Sequence, residues 1–478
     1  MAVDTSVPLS PGWWLARLGN KILSERDELD RLWKYAIGEP DLPHVPGVAA
    51  GEAREWMKVA RANWAGLVID APAERMGVDG FRFGQKTADT DANRIWQENH
   101  MDADSDLVHY GALSQRRAFV LVEKGDNGRP VLTHETPRQM AVEHVPGNPR
   151  KLAAGLKLWR DDWTGRTRAT LWLPDSIHYY ATASDSPVFP QRIGSTLRQW
   201  EPFAIPDDPD GRADNLLGAI PIGVFTNRRN RRVEGFAEHE DVIAIQDRIN
   251  LSLINLIAAM RYGAFRQRFA SGLQVDEDPV TGAKIQPFQL DIKSLWITDD
   301  HEVKFGEFAA TDLVPYVRAV ESAVQDLAAI SRTPPHYLLG QVVNVSGDAL
   351  KAAETGLVSK VRDRQRNFGE SWESVMRMSF KLVGDETRAN AFDAETVWRD
   401  PESRSISELA DAAVKKASAG VPWRQRMEDM GYTPQEIDRM EVDRAQDALL
   451  TPQPSQPTPL PTGQPGQDQG PVISRAAA

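Results

Sequence analysis

The 478-residue sequence contains no cysteine. Disulfide bonds, thiolate zinc sites and a cysteine nucleophile are therefore excluded. Long apolar runs are missing too: the longest, Leu251 to Met260, is interrupted by Ser252 and Asn255. It is far shorter than the ~20 residues that a transmembrane helix needs, so we expect no membrane partner. The first residues lack a basic segment followed by an apolar core, so synthesis in a host cytoplasm is expected.

The sequence also lacks the usual signatures of catalysis. It has no Walker phosphate loop, dinucleotide glycine fingerprint, His-Glu-x-x-His helix or Gly-x-Ser-x-Gly elbow. Carboxylates surround His301, but neighbours in sequence cannot all face one ion, and a hairpin turn is the preferred interpretation. Asp102, Asp104 and Asp106 resemble the start of a calcium loop, yet its glycine and terminal glutamate are missing. We therefore expect no enzyme activity, no metal and no cofactor.

Positive charge is scarce, because 56 basic residues face 68 acidic ones and the formal net charge is −12. This balance argues against a protein that holds nucleic acid by neutralising phosphates. The one dense basic run contains Arg228, Arg229, Arg231 and Arg232. Phosphate contact is one interpretation of this run. The preferred one is an exposed loop, or an inter-subunit contact with acidic helix starts such as Glu238 and Glu240.

The most informative pattern is a short helix, a Pro-rich loop and a long helix in series. The short helix has apolar residues at alternating spacings of four and three, namely Leu313, Val317, Val320, Val324 and Leu327. Pro334 and Pro335 cannot continue it. Ser346 is the predicted N-cap of a long helix that ends near Leu382. Its ~36 residues would span roughly 55 Å, so it is expected to be a structural spine.

The region before these helices has an α+β pattern. Amphipathic spacing predicts helices at 14–37, 50–71 and 93–117. Alternating residues predict strands at 76–83, 118–123, 131–135, 140–144, 152–159, 168–173 and 177–181. Residues 184–214 are rich in Pro, Asp and Ser and are expected to form a long loop. Another helix follows, with a stripe made of Val242, Ile245, Ile249, Leu253, Leu256 and Met260.

Between this helix and the short one lies a small β-rich insert with turn signals at 278–279 and 281–282. Beyond residue 399 the pattern changes to short helices. Thr433, Pro434 and Glu436 form a helix-start signature, with an N-cap, a proline at the first position and a capping-box acid. From Thr451 onward Pro and Gln dominate, which predicts a disordered tail.

In this order the parts resemble the portal proteins of tailed bacteriophages, of the SPP1-like siphovirus type. The resemblance covers most of residues 14–450. It is firmest in the series of helix, β-rich insert, helix, loop and long helix, with Ser331 to Pro334 and Ser346 to Leu350 on either side of the loop. Supporting stretches lie at residues 73–81, 95–99, 220–225 and 419–437.

The resemblance implies a mostly helical α+β portal fold that forms a ring, usually of about twelve subunits. The implied parts are a disordered N-terminus (1–13), a wing (14–235), a stem helix (236–270), a clip (271–309), a second stem helix (310–333), a tunnel loop (334–345), a long wing or spine helix (346–384), a crown (385–450) and a disordered tail (451–478).

The implied function is a non-enzymatic channel at one capsid vertex of the virion, through which double-stranded DNA is packaged and ejected without sequence specificity. The implied partners are further copies in a dodecamer, the terminase large subunit, a head-completion or adaptor protein, and the major capsid and scaffolding proteins. One alternative is another helical head-assembly or scaffolding protein. A hydrolase that uses carboxylates and some of the 14 tryptophans has the least support.

The resemblance also assigns candidate DNA-facing residues. The tunnel loop would present Gln341, Val342, Val343, Asn344 and Val345, which include no Lys or Arg. Such a loop could press on a duplex without binding its phosphates. A weak basic ring in the clip would be formed by Lys284, Lys293 and Lys304, for which ordinary solvated lysines are an equal alternative.

Overall fold

The computed structural model describes residues 3–41, 50–84, 87–182, 196–197, 200–205, 208–264, 268–272, 279, 282, 302–307, 312–339, 347–402 and 404–450. The chain is α+β and mostly helical, as the sequence predicts. Its helices are α1 (Pro11–Ala36), α2 (Ala50–Ala60), α3 (Trp64–Ala73), α4 (Thr90–Glu98), α5 (Met101–Ser114), α6 (Ile243–Ala264), α7 (Val314–Ser331), α8 (Pro335–Leu339), α9 (Gly347–Leu382), α10 (Glu386–Ala389), α11 (Ile406–Ser418), α12 (Trp423–Asp429) and α13 (Pro434–Leu450).

The strands are antiparallel and form several small sheets. They are β1 (Val3–Asp4), β2 (Val78–Phe83), β3 (Arg117–Lys124), β4 (Pro130–Glu135), β5 (Met140–Val145), β6 (Asn148–Arg160), β7 (Thr167–Trp172), β8 (Ser176–Thr182), β9 (Thr196–Leu197), β10 (Trp200–Pro202), β11 (Arg212–Asp214), β12 (Ile222–Thr226), β13 (Arg268–Ser271), β14 (Lys304–Glu307) and β15 (Ala394–Trp398). The largest sheet has the order β10-β8-β7-β6-β5, with β11 also on β8, and its apolar face packs on α1. A second sheet has the order β12-β3-β4.

The largest core lies along α9, which packs on β3, β12, α3 and β15. Gly223 of β12 permits this approach, because a Cβ atom there would stand 2.3 Å from a methyl carbon of Val375. At the centre, the buried Trp372 ring donates its N–H to His109 Nε2 at 2.9 Å. Burial lowers the pKa of His109 to about 3, so this imidazole is neutral and can accept the hydrogen bond.

Several predictions from sequence are corrected at element boundaries. The helix predicted at 50–71 is two helices, and Asn63 caps the second. The helix predicted at 93–117 is also two, because His100 adopts a left-handed conformation with φ of 54°. The expected disorder of residues 1–13 is wrong in part. Val3–Asp4 pairs with Thr196–Leu197, and α1 begins at Pro11.

Two further corrections concern segments without a strong pattern. The loop expected at 184–214 contains β10 and β11, which both pair with β8. In the segment assigned to the crown, β15 pairs with β2 and packs on α9, so this part of residues 385–450 joins the main body. The long helix is confirmed to end at Leu382, whereas its predicted N-cap, Ser346, lies outside the described residues.

Replacing Trp372 by Ala should destabilise the main core by about 3–5 kcal/mol, since a large buried side chain and its hydrogen bond are lost. Chemical denaturation followed by circular dichroism measures the change. Trp163→Ala is the matched control: this side chain is 99% exposed, and the effect should stay within about 0.5 kcal/mol. Equal losses in the two variants would contradict the central position of α9.

Candidate functional site

Helices α6 and α7 form a packed pair that the body covers at one end. Toward the other end α2 covers one side of α6 around Ile254, and other apolar side chains are exposed. Val242, Ile249, Val324 and Leu327 are buried where the pair meets the body. Toward the β13–β14 strand pair, the same apolar stripes become exposed: Met260 is 53% and Val317 44% accessible. The apolar heptad pattern of these helices therefore includes residues that a single chain leaves exposed.

The α6 helix illustrates how much apolar surface the chain leaves uncovered. By length and composition alone, Glu240–Arg261 could cross a membrane, a test that core helices also pass. Only 33% of its most apolar stretch is buried within the chain. Exposed apolar patches of this kind mark sites of protein or membrane contact.

A buried charge cluster fixes the covered end of the pair. Glu238, just before α6, accepts hydrogen bonds from Arg364 Nε at 2.7 Å and from Asn227 Nδ2 at 3.2 Å. The ammonium of Lys360 lies 3.6 Å from its other oxygen. Burial by itself raises the pKa of Glu238, but Lys360 and Arg364 outweigh this effect and hold the pKa below its ordinary value.

The same cluster also holds α7. Lys360 donates a hydrogen bond to the carbonyl oxygen of Ser331, the last residue of α7, at 3.1 Å. A cation at this position satisfies one of the free carbonyls of the helix end and suits the negative pole of the helix dipole. Arg332 then turns the chain with a left-handed conformation at φ of 56°. One α9 side chain thus connects the start of α6 with the end of α7.

The predicted basic run folds against its own chain beside this cluster. Arg228 and Arg231 each lie 2.9 Å from Asp241, and Arg232 lies 3.6 Å from Glu240. All three guanidinium groups lie within 6 Å of the Phe236 ring centre, at 5.0, 5.4 and 5.7 Å.

Arg229 instead donates to the Pro149 carbonyl at 3.0 Å. The run pairs with Glu240 and Asp241 at the helix start of its own chain, whereas the contact considered from the sequence was one between subunits. The proposed contact between subunits stays a prediction.

A polar contact fixes the segment after α7. Tyr337 of α8 donates to Glu354 of α9 at 3.2 Å, and Arg75 lies 3.3 Å from the same carboxylate. Trp64 donates to the carbonyl of Leu338 at 3.2 Å. Part of the segment assigned to the tunnel loop is therefore helical and fixed to both α3 and α9.

Most of the predicted DNA-facing residues lie outside the part of the chain that the structure describes: Gln341, Val342, Val343, Asn344, Val345, Lys284 and Lys293. Lys304 is described and lies exposed on β14. The carboxylates around His301 are only partly described, whereas Asp102 accepts a hydrogen bond from Trp96 Nε1 at 2.8 Å. Among the described residues, no group of three or more potential metal ligands occurs.

Sequence reasoning did not identify Lys360 and Arg364. Both lie within the buried stripe of α9, between Leu357 and Phe368, and are 7% and 6% exposed. Two basic residues four positions apart on an apolar face signal a buried anionic partner, because an unpaired charge there would be strongly unfavourable. This signal was present in the sequence.

A helix pair that is fixed at one end and uncovered at the other is typical of a subunit of a larger protein assembly. Over residues 52–447 the sequence matches the family described as "Phage portal protein, SPP1 Gp6-like". The chain therefore belongs to this family of phage portal proteins, which are structural proteins, and the resemblance seen in its sequence is confirmed.

Similar proteins with the same designation come from mycobacteriophages. The portal protein of Mycobacterium phage D29 is 28% identical over 401 residues, covering 80% of this chain and 78% of the relative. That of Mycobacterium phage L5 is 27% identical over 418 residues, with coverages of 83% and 81%. Among solved structures, a chain of the virion of a native gene transfer agent particle shows 12% identity and a TM-score of 0.41, covering 80% of this chain and 93% of that one.

Replacing Glu238 by Gln should destabilise the protein by about 3–5 kcal/mol at pH 7, because two buried cations lose their anionic partner. Because the pKa of Glu238 is lower in the folded than in the unfolded protein, its ionisation stabilises the fold at pH values above the ordinary pKa of 4.5. This stabilisation is lost as pH falls through the pKa of the folded state. The difference between variant and wild type should therefore shrink below pH 4.5. Thermal unfolding measured from pH 3.5 to 8 would show it.

The control is Glu234→Gln, which makes the same change at an exposed position of the same segment. We expect an effect within about 0.5 kcal/mol. A Glu238→Gln penalty that is independent of pH would contradict an ionised Glu238 in the cluster.

Proposed function

We propose that the protein assembles into a closed ring at one vertex of the phage head and forms the channel for entry and exit of double-stranded DNA. The observation that carries this proposal is the uncovered apolar surface of α6 and α7 in a chain of the portal family. Neighbouring copies around a ring would bury this surface without leaving a free end.

Within this proposal, α6 and α7 are the stem, and β13 and β14 begin and end the clip. The clip and its Lys304 would face the terminase large subunit and the head-completion protein. Residues 14–235 would form the wing that meets the capsid and scaffolding proteins, and α11 to α13 the crown. No catalytic step is assigned to the chain, so the energy for packaging would come from the terminase.

The charge of the protein supports a channel through which DNA slides. A chain with net charge −12 presents few cations, and a ring of such chains repels phosphates overall. Tight binding of the channel wall to DNA would stop its movement. Contacts to phosphates can bind this tightly: proteins with 6–10 of them lose roughly 10³–10⁵ in affinity when salt rises from 50 to 200 mM and weakens these contacts. The segment between α8 and α9 contains no Lys or Arg, so it would offer the phosphates no such contacts.

Native mass spectrometry of the purified protein should show a closed ring of about twelve copies. A single stable monomer at high concentration would contradict the ring and favour the alternative of another head-assembly or scaffolding protein.

Replacing Val342 and Val343 by Asp should leave the ring intact but reduce packaged DNA to background. These residues are proposed to touch the duplex, and carboxylates in direct contact with phosphates repel them far more strongly than the more distant acidic surface does, which salt screens. Native mass spectrometry reports on the ring, and nuclease-protected DNA in particles reports on packaging. Val59→Asp, at a position 78% exposed on α2, is the control for an added carboxylate and should package normally. Loss of the ring in the double variant would show that this loop is a subunit contact instead.

A further inference from the structure

The three helices α11, α12 and α13 have almost no core of their own. Between residues 404 and 450, the buried hydrophobic residues in the described part of the chain are Ala413 and Ile437. These helices contact each other in sequence order, and α13 packs on β2 of the body. Ion pairs add contacts to the body, from Glu428 of α12 to Arg82 and from Glu408 of α11 to Lys351. Helices of 13 and 17 residues are marginal in water without tertiary packing, so this layer needs a further surface.

Each of the two longer helices carries an exposed apolar stripe. On α11 the stripe consists of Ile406, Ala410, Val414 and Ala417, all exposed, with Ile406 at 83% and Val414 at 70%. On α13 it consists of Val442, Ala445 and Leu449, with Val442 at 56% and Leu449 at 86%. Spacings of three, four and seven place each set on one helix face.

We propose that the α11 stripe of one subunit packs against the α13 stripe of the neighbouring subunit. This inference rests on the proposed ring and names the surfaces that would close it at the crown. A head-to-tail ring contact requires two different surfaces on one polypeptide. The two stripes meet this requirement, because both are exposed within a single chain and neither can cover the other there.

Charges beside the stripes favour a second copy as the occupant. Asp411 directly follows Ala410 and lies one turn before Val414 on α11, and Arg439 lies one turn before Val442 on α13. Both are exposed, and neither has a salt-bridge partner among the described residues. Packing the α11 stripe on the α13 stripe would bring Asp411 of one subunit near Arg439 of its neighbour. This attraction favours contact between α11 and α13 over contact between two α11 or two α13 stripes.

Disulfide crosslinking tests the contact sharply, because the natural sequence has no cysteine. The double variant Val414→Cys, Val442→Cys should give a ladder of covalent oligomers after mild oxidation. Each single variant should remain monomeric under denaturing conditions, since a head-to-tail contact does not bring identical positions together. The control pair Lys415→Cys, Asp443→Cys lies on the same helices but points away from both stripes, and should give no ladder.

The outcomes separate this inference from the proposed function. A ring seen by native mass spectrometry without a ladder from the Val414 and Val442 pair would overturn the crown contact and leave the ring standing. Dimers from a single variant would show contact between like stripes and also overturn it. Absence of any ring in the wild-type protein would end both proposals.

A charge exchange gives a second readout. Asp411→Arg and Arg439→Asp should each lower the fraction of protein in rings at 150 mM salt, and the combined variant should recover it. A combined variant no better than the single ones would contradict the pairing of these two rims.

Discussion

Glu238, Lys360 and Arg364 are buried together where α6 begins and α7 ends, and the two cations come from α9. Removing such charges from water is costly, and the cost is offset only when the full set of partners is in place. The cluster therefore requires three segments that are distant in sequence to meet in one arrangement. Because it acts at a single end of the helix pair, the other end remains free to meet other molecules.

The long helix α9 connects this charge cluster to the rest of the chain. Its middle holds the charge cluster, its later part is the centre of the main core, and its early part holds Tyr337 through Glu354. Helix α8 is thereby held against both α3 and α9, and α9 continues into the core.

Periodic patterns were sufficient for the elements that are long and locally determined. The spine from Gly347 to Leu382 and the strands 117–182 follow directly from apolar spacing. The breaks at Asn63 and His100 were missed, because a side-chain cap and a left-handed non-glycine residue leave little trace in periodicity. The strand β15 was missed as well, since it is short and its partner β2 lies some 310 residues away in sequence.

The candidate site, too, could be predicted from the sequence only in part. The apolar stripes on α6 and α7 were visible in the sequence, but their uncovered end was not, since exposure depends on what the folded chain can reach. Lys360 and Arg364 look like ordinary surface cations when helix residues are sorted only by polarity. Their role depends on Glu238, which is about 120 residues earlier in the sequence and becomes a neighbour only in the folded chain.

The acidic character of the chain imposes opposite demands on its two proposed roles. Negative charge lets DNA pass without adhering, but it also makes identical subunits repel one another. Apolar contacts must therefore supply the attraction between neighbours, and the uncovered faces of α6, α7, α11 and α13 are suited to do so. At physiological ionic strength the screening length is about 8 Å, so repulsion between exposed charges on adjacent copies is damped beyond the immediate contact while apolar burial is not. A subunit built in this way could repel DNA in the proposed channel and still hold its neighbours.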